Sequence, residues 1–268
     1  MTSRTPLVPL FFLTACQAAT PASSGTVIAT HDLVAVLGDL AAPVGVTLDP
    51  DSGTLYVLDA WEGVYALTDT GFQQHLTSDD LTVTGGVDQR PYTDVAAMGD
   101  GRFAVSVRSD GLLYDPAVGG TVQHFCYEPG DTGLWAEEYQ HTNSLGYDAG
   151  RDRLIATPQT IQVEDDLALE AFVAEFDGQE GTPLHFWSLD DAGFAPGAVA
   201  VQAGGSLLLA HGDTIYSYEA GAVAADPLVG LAGLGVTRIE GLAVDATSGD
   251  LWVVDGERVA LLRISGWR

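Results

Sequence analysis

The stretch EGLAVDATSGDLWVVD, residues 240–255, has a near copy in VGVTLDPDSGTLYVLD, residues 44–59. Seven of the sixteen aligned positions are identical, among them Gly241/Gly45, Asp245/Asp49, Gly249/Gly53 and Asp255/Asp59. Each copy reads as two short apolar runs joined by a turn rich in Asp, Ser and Gly, the pattern of a β-hairpin. Three weaker copies stand between them: DVAAMGDGRFAVSV from Asp94, NSLGYDAGRDRLIAT from Asn143 and GAVAVQAGGSLLLA from Gly197. The starts at 44, 94, 143, 197 and 240 are spaced by 50, 49, 54 and 43 residues. A strand-built repeat of this length predicts a propeller or a solenoid.

Four strands can be read in each unit; in the first they are GVTLD, TLYVLD, GVYALT and FQQHLT. The first strand carries small residues each time, as in Gly241 and Ala243, Ala96 and Ala97, or Ala198 and Ala200. Strands that converge on an axis need that taper, and stacked hairpins do not. Unit five runs out after RVALLRIS, lacking its fourth strand, while HDLVAVLGD (31–39) precedes unit one without a unit of its own. The orphan is expected to complete the last blade and close the ring, leaving no free sheet edge. The expected fold is therefore all-β, a β-propeller of five four-stranded blades; six is the alternative if LEAFVAEFD hides another unit.

The chain has 268 residues with 37 acidic and 10 basic side chains, all ten of them Arg, for a formal charge of −27. That charge repels nucleic acid and anionic lipid surfaces, so neither is an expected partner. The acids read either as a solvated surface or, in part, as ligands of a divalent cation.

The first residues, MTSRTPLVPLFFLTAC, combine a positive start with an apolar run too short to span a bilayer, the pattern of a secretory signal. Leu13-Thr14-Ala15-Cys16 resembles the lipobox of bacterial lipoproteins. That resemblance implies a signal peptide over 1–15, acylation of Cys16, a tether over 16–26 and a single propeller domain over 27–268. Gln17 in place of Asp implies, on the same resemblance, the outer membrane rather than the inner one. The partner is then the membrane through the lipid on Cys16, and the body, expected to be a monomer, faces the periplasm or the outside. With Cys16 lipidated, Cys126 in TVQHFCYE stands alone and reads as a buried small hydrophobe.

The segments EGLAVDATSGDLWVVD and NSLGYD resemble blades of the NHL-repeat and SMP-30/gluconolactonase-like β-propellers. In the latter, acidic and amide side chains that begin certain innermost strands hold a divalent metal for lactone or ester hydrolysis. The matching positions here are Val44, Asp94, Asn143, Gly197 and Glu240. The resemblance thus implies Asp94, Asn143 and Glu240 as ligands of Ca²⁺ or Zn²⁺, with Val44 a departure from the pattern. The other reading of the three is that they end strands and bond to nearby backbone.

The connections leading into each first strand are expected on the same face as these residues. They carry Asp79, Asp80 and Asp88; Trp135, Tyr139 and His141; and Asp190 and Asp191. Loops on a rigid scaffold concentrate binding residues, so Trp135, Tyr139 and His141 are candidate ligand-facing residues. His75, His124 and His185 fall on outermost strands and are expected far apart. Two functions compete: a non-enzymatic binding or scaffolding body for an unidentified protein or small molecule, and a metal-dependent hydrolase with His141 as base. The first leads, and no catalytic residue is assigned.

Overall fold

The computed structural model describes residues 25–38, 41–83, 90–107, 110–126, 139–161, 171–189, 192–219, 222–223 and 226–268; for 123–126, 139–141, 159–161 and 222–223 it describes the backbone. The expected signal, Cys16, Asp88, Trp135, Asp190 and Asp191 lie outside these residues. Among them, no helix is long and apolar enough to cross a membrane.

The strands form five antiparallel sheets around one axis. Blade one is β2 (Pro43–Leu48), β3 (Leu55–Asp59), β4 (Gly63–Thr68) and β5 (Gly71–Thr77), from the axis outward. Blade two is β6 (Asp94–Gly99), β7 (Arg102–Val107), β8 (Asp110–Asp115) and β9 (Gly120–Cys126). Blade three is β10 (Tyr139–Asp148), β11 (Arg153–Ile161), β12 (Phe172–Asp177) and β13 (Pro183–Ser188). In blade four, β14 (Ala198–Val201), β15 (Leu207–His211) and β16 (Thr214–Glu219) are edged by two short pieces, β17 (Ala222–Val223) and β18 (Val229–Gly230). Blade five is β19 (Ile239–Val244), β20 (Leu251–Asp255) and β21 (Ala260–Ser265), completed by β1 (Thr26–Asp32). The innermost strands adjoin in the order β2, β6, β10, β14, β19 and back to β2, so the ring closes. Phe172–Asp177 is the third strand of blade three, which leaves no sixth unit.

Closure occurs as expected, but the closing strand lies earlier than 31–39. Thr26–Asp32 pairs antiparallel with β21, Thr26 opposite Ser265 and Asp32 opposite Ala260. After it the chain turns into one helical turn, α1 (Val34–Leu37). The cause is local. Asp32 Oδ1 accepts the backbone N–H groups of Val34 and Ala35, and Leu33 is buried beneath the turn. Leu33 and Leu37, four residues apart, pack into the core while Val34 and Val36 are exposed, whereas Thr26–Asp32 alternates between half-buried and exposed residues like an edge strand. Residues 226–233, DPLVGLAG, give only the two-residue β18 at the outer edge of blade four.

The repeated residues make the same bonds in both copies. Asp49 Oδ1 accepts N–H from Asp51 and Ser52, and Asp245 Oδ1 accepts N–H from Thr247 and Ser248. Gly53 and Gly249 follow in the left-handed region, at φ 70° and 74°, where a side chain would be strained. Asp59 and Asp255 cap the next turn, each accepting N–H groups two and three residues ahead. DPDSG therefore closes a hairpin turn.

The core is five layers, one between each pair of blades, rather than a single nucleus. Trp267 packs into the layer between blades four and five, 1% exposed, with its indole N–H on the Gly249 carbonyl at 2.8 Å. Each fully buried large apolar side chain in these layers contributes about 1.5–3 kcal/mol.

Candidate functional site

Strand register sorts the three polar residues expected at the ring's end. Asp94 pairs with Ser106, the position at which Gly45 pairs with Leu58, Ala198 with Ala210 and Gly241 with Val254. Asn143 and Glu240 instead fall in register shifts, as Val44 does, between Thr142 and Leu145, Ile239 and Gly241, and Pro43 and Gly45. Asp94 is thus one residue out of phase with the other two, and side chains alternate in direction along a strand.

Asp94 faces its neighbours around the axis, 2% exposed. Its Oδ2 accepts the Ser144 hydroxyl and the Leu145 N–H (2.8 Å), and Oδ1 accepts the Val95 N–H at 2.7 Å. A Cβ on Gly45 would come within 2.1 Å of Oδ1, so glycine there makes room for the carboxyl group. Burial pushes Asp94 up to about 8; the donors from Ser144, Leu145 and Val95 oppose the shift, and the charge of Glu240 adds to it.

Asn143 donates its side-chain amide to the Pro196 carbonyl at 3.1 Å, bridging blade three to the approach to blade four. Glu240 is ion-paired through Oε1 with Arg238 Nε, and Gly256 leaves space for its stem. The three side chains therefore share one end of the ring but each bonds to a partner of its own. Among the described residues no three His, Cys, Asp or Glu side chains form a metal-ligating group. As arranged, this donor set does not fit a divalent cation.

The same end carries a feature not read from the sequence. Past the register shift, Tyr139, Gln140, His141 and Thr142 keep pairing with Ile161, Thr160, Gln159 and Pro158. Thr142 is level with the ring, since its carbonyl accepts the Thr93 hydroxyl at 2.7 Å. At about 3.3 Å per residue, the three residues before it carry the ladder about 10 Å further. Tyr139 and His141 lie on this extension. Asp80 belongs to the connection between blades one and two; hydrogen bonds from the Thr77 hydroxyl and N–H hold it below the usual carboxylate range.

At the opposite end, the turns of blades one, three, four and five surround a bowl of about 500 Å³ lined by Asp49, Asp51, Asp148 and Asp245 among others. Asp49, Asp148 and Asp245 each accept N–H groups of their own turns. His75 and His185 sit on β5 and β13 of different blades, as expected; His75 packs against Tyr56 and Phe103. Cys126 ends β9 opposite Asp110, and its side chain lies outside the described set.

Sequence reasoning missed Ser144 and Arg238. Each is a partner rather than a conspicuous acid; Ser144 adjoins Asn143 on β10, and Arg238 stands two residues before Glu240, just ahead of β19.

Five four-stranded blades closed by the chain's own N-terminal strand define a five-bladed β-propeller. No family model and no curated relative matches the sequence. Among solved structures, the chain is similar to the β-propeller domain of Cps50 (Swd1) from Myceliophteria thermophila, at 13% identity and TM-score 0.46, covering 90% of this chain and 99% of that one. It is also similar to the extracellular domain of the hybrid two-component system BT4673 from B. thetaiotaomicron, at 15% identity and TM-score 0.45. There it covers 82% of this chain but spans only 27% of the other. At these identities the likeness is one of fold alone.

Proposed function

We propose that this chain is an envelope lipoprotein, anchored through Cys16 to the outer membrane, whose propeller is a non-enzymatic binding or scaffolding body. The binding face is the end that carries Asn143, Glu240 and the β10–β11 extension. One observation carries the choice against hydrolysis. Asp94, Asn143 and Glu240 are each committed to protein partners: Ser144, Leu145 and Val95; the Pro196 carbonyl; and Arg238. A metal-dependent hydrolase needs converging free oxygens and an open coordination position. A rigid polar platform with a projecting ladder suits docking instead.

The second reading, a metal-dependent lactonase or esterase, draws on Asp94 and Glu240 being close enough for the charge of one to act on the other. Calorimetric titration of the full-length chain with Ca²⁺ and with Zn²⁺, repeated on Glu240→Ala, separates the two. The binding-body reading expects no saturable heat that depends on Glu240. Saturation lost in the variant would overturn it in favour of the hydrolase. For the anchor, Cys16→Ser is expected to move the protein from membrane to soluble fractions; unchanged fractionation would overturn that part.

A further inference from the structure

Each blade junction is packed by side chains that meet from adjacent second strands. Between blades one and two, Tyr56 meets Phe103 with ring centroids 4.9 Å apart, and His75 from the outermost strand adds a third ring 5.1 and 5.4 Å away. Between blades three and four the corresponding pair is Ile155 and Leu207, both buried and both without a ring. The space that aromatic rings fill in the first junction is open in this one. It is a cleft of about 260 Å³ lined by Ile155, Leu207, Trp187, Tyr218, His185 and Glu175, with Arg151 and Gly205 at its edge.

The walls are aromatic: Trp187 stands edge-on to Tyr218 at 6.4 Å and tilted against His185 at 5.3 Å. The one acid in the lining is buried. Glu175 is 5% exposed, and its Oε1 takes Arg151 Nη1 at 3.1 Å. Arg151 is divided between two carboxylates, since its Nε also bonds Asp148 Oδ2. Two carboxylates against one guanidinium leave a net negative charge beside an aromatic slot. Burying a carboxylate with incomplete pairing is costly, and a cationic donor arriving from the cleft would relieve that cost. Aromatic faces attract cations as well.

We propose that this cleft binds a small aromatic amine, with its ring packed against Trp187 and Tyr218 above Ile155 and Leu207 and its ammonium on Glu175. The volume lies below that of typical ligand pockets, about 300–1,000 Å³, and suits a compound of one or two rings. The slot lies between blades three and four and includes none of Asp94, Asn143 or Glu240, so it stands or falls separately from the binding face proposed above.

The test uses the full-length chain, with phenethylamine as the probe and phenylacetate as its charge-reversed counterpart. Binding is read by calorimetry and by quenching of Trp187 fluorescence, with Trp187→Phe as the control for the signal. Phenethylamine is expected to saturate, with phenylacetate and the Glu175→Gln variant each weaker by about tenfold or more. Ile155→Phe places a ring inside the slot and is expected to abolish binding while the protein stays folded. Absence of saturation up to about 10 mM overturns the proposal. So does equal affinity for the two probes, or unchanged binding in both Ile155→Phe and Glu175→Gln.

Discussion

Ser144, on the innermost strand of blade three, donates its hydroxyl to Asp94 on blade two and accepts the Val199 N–H of blade four at 2.8 Å. One side chain thus ties three blades at the axis. The Thr47 hydroxyl does a related job between blades one and two, accepting the Ala97 N–H at 3.1 Å. Inner strands of different blades form separate sheets, so hydroxyl and carboxyl groups supply the polar links that a continuous ladder would otherwise give. Asp94, as the buried acceptor in this chain, makes the axis sensitive to pH.

Burial holds the folded Asp94 pKa at about 8, far above its ordinary value of 3.8. Between those values the folded protein keeps a proton that the unfolded chain has released. Stability from this group is complete at acid pH and declines as pH rises through the window, by at most about 1.4 kcal/mol per pH unit. Asp94→Asn removes the titration and is expected to flatten the curve. Urea midpoints of both proteins at about pH 5 and pH 8 provide the check. The wild type must lose more stability across that interval than the variant, whatever the absolute cost of the substitution.

His75 contributes the opposite slope. Partial burial against Tyr56 and Phe103 lowers its pKa below 6.5, against the pull of Asp49 and Asp80. The unfolded chain then takes up a proton that the folded one resists, so stability is lost as pH falls through the histidine range. His75→Phe keeps a ring in the layer and removes the charge. Its melting temperature is expected to fall less than the wild type's between about pH 7 and pH 5. Parallel curves would show that the ring layer does not exclude the proton.

Glycines at the axis should differ sharply in their tolerance of a methyl group. A Cβ on Gly241 would lie 2.8 Å from the Val46 nitrogen and 2.9 Å from Gly45 backbone atoms, none of which can swing aside. At Gly197 the nearest atom would be the Ile239 carbonyl oxygen at 3.3 Å. Gly241→Ala is expected to cost about 1–3 kcal/mol or more, the range for an overpacked core, and Gly197→Ala clearly less. Chemical denaturation of the two variants decides it, and equal costs would contradict the close approach of β2 and β19.

Much of this fold was legible because its blades reuse one piece of local chemistry: an Asp that caps a turn, a Gly just beyond it, and small residues on the strand nearest the axis. Asp49/Asp245 and Gly53/Gly249 recur because they bond identically. What was misjudged depended on finer spacing. Residues 33–37 are as apolar as a strand, and the Asp32 cap separates a turn from an edge. The site was less legible. Aligned by sequence, Asp94 stands with Asn143 and Glu240; paired by register, it stands with Gly45 and Gly241, because Val44, Asn143 and Glu240 occupy shifts that the second blade lacks at that point. The slot at Ile155 and Leu207 stands where Tyr56 and Phe103 fill the junction of blades one and two, a difference visible only once those blades are set side by side.

The seam between the two ends of the chain offers the most direct test of the architecture. Thr26 faces Ser265 where β1 joins β21, although 239 residues separate them in sequence. Directly opposed strand residues bring their Cβ atoms within about 4.5–5.5 Å, close enough for a disulfide after slight adjustment. In a chain with Cys16 and Cys126 replaced by Ser, the pair Thr26→Cys and Ser265→Cys is expected to oxidise spontaneously and to run faster than its reduced form on a denaturing gel. Closing so long a loop restricts the unfolded chain, and the chain-entropy relation gives about 5 kcal/mol of stabilisation as an upper figure. The melting temperature should therefore rise on oxidation and return with reductant. Failure to form the bond, or formation only between molecules, would mean that the first strand does not complete the fifth blade. β21 would then be an unprotected edge, and the five-membered ring would lose its closure.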